Sequence, residues 1–99
     1  MSFVTTDPNA LTAASGNMES IGCAMAANNA TAAGPTTGVV PAAADPVSAL
    51  TAAQFASHAQ LYQTISAQAA AIHQQMVATL GSNANAYAAT EACNATAAR

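Results

Sequence analysis

Two histidines, two cysteines and four carboxylates are the side chains of this 99-residue chain that could hold a metal ion, supply a thiolate or move a proton near neutral pH. Their spacing gives them little to do together. His58 and His73 stand fifteen residues apart, and neither has a Cys, Asp or Glu three or four positions on to complete a metal site. Both are better read as core or interface histidines. Asp7, Glu19, Asp45 and Glu91 are scattered along the chain, so no carboxylate pair is available for acid–base catalysis. Cys23 and Cys93 could form a disulfide only if a C-terminal tail folds back, and otherwise stay free. One pair is different in kind: Tyr87 and Glu91, in Tyr-Ala-Ala-Thr-Glu, are four apart and on a helix would share one face. An aromatic ring and a carboxylate so placed suit recognition, not catalysis. The residues predict no enzyme, no metal and no cofactor.

Composition sets the remaining bounds. The length suits one small domain. Alanine fills thirty positions, which favours helix but supplies little buried area. With a single Arg and no Lys, the chain has no basic patch for phosphates or an anionic membrane, so nucleic acid is excluded as a partner class. Only 5% of residues are charged, with a net charge of -3, so the surface is weakly charged for a free-standing domain. Such a surface is expected to be covered by another molecule. The N-terminus lacks the basic and apolar regions of a secretory signal peptide, and no run of about eighteen apolar residues suggests a spanning helix. Neither absence excludes a specialised route that exports a folded cargo.

Between Gly34 and Pro46 stand three prolines and two glycines, and no helix is expected to run through them. They divide two alanine-rich arms. Asp7 is placed to cap the first arm, with Pro8 at its first helical position, and Asp45 with Pro46 repeats the signal for the second. Helices are expected at about 8–33 and 46–80, with a bend at 34–45. Gly81-Ser82-Asn83 should end the second arm and leave 82–99 as a tail. The expected domain is therefore 1–81, a long antiparallel two-helix hairpin.

On the first arm Leu11, Met18 and Met25 recur every seven residues, with Ala14 and Ile21 between them, in a narrow stripe. Gly16 and Gly22 weaken that helix unless a neighbouring backbone packs closely against them. The second arm carries two stripes. Phe55, His58, Tyr62, Ile65, Ala69, Ile72 and Met76 form one, while Val47, Leu50, Gln54 and Leu61 form a second row beside it. One thin stripe cannot cover both, and two helices with so few large side chains make too little core. The surplus face predicts another chain and an all-α four-helix bundle, with homodimer and heterodimer undistinguished by the pattern.

These segments together resemble the PE family of mycobacteria. The resemblance rests on Met1-Ser2-Phe3-Val4-Thr5-Thr6, on the bend Pro35-Thr36-Thr37-Gly38-Val39-Val40-Pro41-Ala42-Ala43-Ala44-Asp45, on Val47 to Phe55, and on Tyr87-Ala88-Ala89-Thr90-Glu91. It spans essentially the whole chain. Asn9 follows Pro8 where the family has a Glu, a change expected to cost only some tenths of a kcal/mol at a helix start.

The resemblance implies a helical hairpin that pairs with a PPE-family protein as a heterodimeric four-helix bundle. It implies export through a type VII (ESX) secretion system, with Tyr87 and Glu91 matching the family's Tyr-x-x-x-Asp/Glu signal. A cytosolic chaperone would be held only indirectly, through the PPE subunit. The expected location is extracellular, on the cell surface or in the outer cell envelope. The bend and second arm look most like the branch that mostly uses the fifth ESX system. Two alternatives stand beside this reading: an outer-membrane or envelope assembly for solute uptake or host interaction, in which the apolar strip meets lipid or a pore-forming partner, and a free homodimeric helical bundle.

Overall fold

The computed structural model describes residues 4–99, so the first three residues of the Met1–Thr6 motif and of the expected 1–81 domain lie outside it. The described chain is two helices with no strand, α1 over Pro8–Thr37 and α2 over Pro46–Ala97. Each starts from an Asp-Pro pair. Asp7 Oδ1 accepts the Ala10 N–H at 3.0 Å. Asp45 Oδ1 accepts the N–H groups of Val47 and Ser48, each at 2.9 Å, and Ser48 Oγ donates to Asp45 Oδ2 at 2.7 Å. Free amides at a helix start are thereby satisfied by a carboxylate, and Pro at the first position has no N–H to lose. The bonds from the Ser48 amide and hydroxyl hold the Asp45 carboxyl below its usual range. Because the folded value is the lower one, this contribution is present at neutral pH and is lost as pH falls through it.

Both C-terminal boundaries differ from the sequence expectation. α1 ends at Thr37 instead of about 33, one turn into the breaker-rich stretch, with Pro35 inside it. Proline removes one ladder bond, and the following residues close the turn: Thr36 and Thr37 hydroxyls donate to the carbonyls of Ala32 and Ala33 at 2.6 Å, and Gly38 N–H reaches Gly34 O at 3.0 Å. α2 runs through Gly81-Ser82-Asn83 to Ala97, where an end near Leu80 was expected, so the segment from Ser82 to Ala97 is helix. One interior glycine costs about 1 kcal/mol, and packing outweighs it here. Gly81 is half-buried and Ala84 is the most buried residue described, at 2% exposure.

The chain divides into two compact units, one made of Met1–Gly22 with His73–Arg99 and the other of Cys23–Ile72. In the first, Leu11, Ser15, Met18 and Gly22 of α1 are half-buried, as are His73 and Leu80 of α2, while Val77 and Ala84 are buried. Polar side chains cross this seam to main-chain carbonyls. Ser15 Oγ donates to Val77 O at 3.0 Å, and His73 Nε2 lies 2.6 Å from Met18 O, which as a pure acceptor requires the proton on Nε2. In the second unit, Asn29, Ala33 and Thr37 of α1 are half-buried or less exposed than their neighbours. Ala52 and Ala59 of α2 are buried there, with Ala56, Gln63 and Ser66 half-buried. Gln63 Nε2 donates to Asn29 O at 3.1 Å and the Tyr62 hydroxyl to Asn29 Oδ1 at 2.9 Å.

These buried and half-buried positions of α2 step by four and three in each unit, at 52, 56, 59, 63 and 66 and at 73, 77, 80 and 84. That is helix-pairing periodicity written in small and polar residues. Gly22 shows why small size matters. A Cβ built there would lie 2.8 Å from His73 Cδ2, on a ring tethered by its bond to Met18, whereas one at Gly16 meets nothing within 4 Å.

The two glycines should therefore respond with opposite sign. Gly16→Ala should stabilise by up to about 1 kcal/mol through helix propensity. Gly22→Ala should destabilise by roughly 1–2 kcal/mol, because overpacking against His73 exceeds the same gain. Thermal unfolding followed by circular dichroism checks both; equal stabilisation by the two substitutions would contradict the close approach.

Candidate functional site

The large apolar side chains lie outside the seam. In the Cys23–Ile72 unit, Leu50 is 68% exposed, Phe55 62%, Leu61 57%, Ile65 55% and Ile72 65%. Tyr62, His58 and Val47 of α2 are exposed as well, as is Met25 of α1. Phe55 and Tyr62 are seven apart, as are His58, Ile65 and Ile72, so they form two adjacent lines on α2. Leu50 and Leu61 widen the same face. Only its Phe55 edge lies beside the alanine seam: at ~3.6 residues per turn Phe55 is about 60° round from Ala52, and Ile65, about a further 80° round in the same sense, is nearly opposite the seam. Two shallow depressions open on it: one is lined by Leu50, Thr51, Gln54, Phe55 and His58, the other by Phe55 with bend residues including Val39 and Val40. A single helix supplies the first, so it is an open surface and not an enclosed pocket.

In the other unit Leu11 and Met18 turn into the seam, while Ile21, Met76 and Tyr87 are exposed. The expected first-arm stripe is thus split by the fold: Leu11 and Met18 meet α2, and Ile21 and Met25 do not enter the core of their units. A side chain of this size gains roughly 1.5–3 kcal/mol on full burial, so each unit leaves its largest apolar contribution unused.

Tyr87 and Glu91 lie on the continuous α2 helix, both exposed, four positions apart and hence on one face. Glu91 Oε1 accepts a hydrogen bond from Thr6 Oγ1 at 3.2 Å. The remaining chemistry-bearing residues do not converge. Cys23 and Cys93 are free, exposed thiols. His58 is exposed, and His73 is engaged with Met18. Among the described residues there is no group of three His, Cys, Asp or Glu side chains able to hold a metal ion. No helix of the described residues is long and apolar enough to cross a membrane.

Sequence reasoning missed the seam itself and Thr6. The alternation of Ala52, Ala56, Ala59, Gln63 and Ser66 was present, but alanine is so common in this chain that its spacing carries little contrast. Thr6 precedes a helix and gives no periodic signal at all.

Comparison with known proteins bears on the family resemblance directly. The family model described as "PE family" matches residues 4–94. The chain is 63% identical over 98 residues to PE family protein PE13 of Mycobacterium tuberculosis, covering 99% of both proteins. It is 52% identical over 98 residues to PE family protein PE8 of the same organism, where it spans 36% of that protein's length. It is 53% identical over 95 residues to the PE-PGRS family protein PE_PGRS33 of M. tuberculosis, spanning 20% of it. The match to PE13 runs the full length of both chains, so the likeness includes the bend, both helix starts and the terminal turns of α2. This chain belongs to the PE family.

Proposed function

We propose that this protein is the PE half of a heterodimer with a PPE-family protein, exported as a folded pair through a type VII secretion system and acting outside the cell or at its surface. The observation that carries the reading is the division of labour on α2. Alanine, serine, glutamine and valine meet α1, while Phe55, Leu61, Tyr62, Ile65 and Ile72 stand in water. A helical partner that lays its own apolar stripes on that face would bury these side chains and complete four helices. Family membership supports a PPE protein as that partner, since the resemblance implies one. The role is binding and targeting, with no chemical step and no cofactor assigned to any residue. Tyr87 and Glu91 serve as the export signal in this reading: a phenol ring and a carboxylate on one exposed helical face, available after the apolar strip has been covered.

Two substitutions separate assembly from export. Ile65→Asp should abolish copurification with the PPE partner, because an unpaired charge in a dry interface costs several kcal/mol. Gln60→Asp, about 140° round the helix from Ile65, should leave the complex intact. A complex that survives Ile65→Asp would show that the partner binds elsewhere. Tyr87→Ala should leave the purified pair and its melting unchanged while stopping its appearance in culture filtrate; export at the normal level would remove Tyr87 from the signal.

A further inference from the structure

The Thr6–Glu91 hydrogen bond joins residues 85 positions apart and brings the segment before α1 to the terminal turns of α2, within one compact unit. Thr6 is well placed to act on another residue. It is half-buried, β-branched and therefore stiff about χ1, and it immediately precedes the Asp7–Pro8 start that fixes the backbone where α1 begins. Glu91 is an exposed, flexible side chain on a helix surface, and among the described residues its carboxylate has no other hydrogen-bond or ion-pair partner to select one rotamer from several. A carboxylate has about four acceptor sites, and the Thr6 hydroxyl occupies one of them. The bond thus orients the carboxylate without covering it.

We infer that Thr6 is a positioning residue for the Tyr87–Glu91 recognition pair: its hydroxyl holds the Glu91 carboxylate in one orientation on the face that carries the Tyr87 ring, so that a receptor meets a preorganised acid and aromatic. This rests on the reading of Tyr87 and Glu91 as the export signal. Preorganisation raises affinity by removing an ordering cost that would otherwise be met on binding. Thr6 therefore belongs to the recognition surface, although it is far from Tyr87 and Glu91 in sequence.

The test uses the full-length chain co-expressed with its PPE partner in a mycobacterium carrying the secretion system, comparing Thr6→Val, Thr6→Ser and Tyr87→Ala. Thr6→Val keeps the shape and removes the hydroxyl. It should lower the exported fraction by about threefold to tenfold, the range of one hydrogen bond to an exposed charged group. Copurification and melting of the intracellular complex should stay at the wild-type level, a pairing of results that a purely structural role would not produce. Thr6→Ser, which restores the hydroxyl, should export normally. The inference is overturned if Thr6→Val exports normally or better while Tyr87→Ala is blocked, and in that case the signal itself stands. It is overturned equally if Thr6→Ser is as poor as Thr6→Val, or if Thr6→Val loses the complex. Normal export of Tyr87→Ala removes the signal reading and the inference with it.

Discussion

The closeness of α1 to α2 is the constraint on which the other features depend. Side chains as short as those of Gly22, Ser15, Ala52 and Ala59 do not hold two backbones apart, and main-chain carbonyls of one helix come within reach of polar groups on the other. Ser15 reaches Val77 O, His73 reaches Met18 O and Gln63 reaches Asn29 O. Each is a directional contact between a side chain and a fixed point on the other backbone, so together they specify register more sharply than interchangeable methyl groups would. In the Cys23–Ile72 unit the seam is filled by small and polar side chains. Phe55 stands at the edge of the seam and Ile65 and Ile72 on the far side of α2, where all three are exposed.

That arrangement has an energetic side. Alanine contributes little apolar area, and net hydrogen-bond contributions are about 0.5–1.5 kcal/mol each, so a pair of helices joined mainly in this way is weakly held. The small residues that bring α1 and α2 together make a poor core, and the large apolar residues they leave outside it form an exposed strip on α2. In the proposed heterodimer, covering that strip would serve both stability and partner binding and so couple folding to assembly.

Much of the fold was legible in the sequence because it is written in strong local signals. The Asp7–Pro8 and Asp45–Pro46 starts and the breaker-rich stretch place both helix beginnings and the bend. The helix ends were less legible, since the decisive contacts are tertiary or local to particular hydroxyls. Gly81 looks like a stop until Ala84 is seen buried beyond it, and Pro35 looks like one until Thr36 and Thr37 are seen closing the last turn. The large residues of α2 were visible as two stripes with one face in surplus, but that both stripes stay outside the seam was not: the pattern shows which residues share a face, while the choice of seam is made by size. His73 was readable as an interface residue and the donor role of its Nε2 was not, because Met18 O is a main-chain atom that no side-chain pattern reports.

The account stands or falls on whether the α2 strip needs a second chain. Size-exclusion chromatography with light scattering, paired with thermal melting by circular dichroism, should be run on this protein alone and co-expressed with candidate PPE-family proteins. Aggregation or loosely helical, non-cooperative melting alone, replaced by a cooperatively melting 1:1 complex with one of them, is the result expected. A monodisperse, cooperatively melting species formed by this chain alone, as monomer or homodimer, would contradict it.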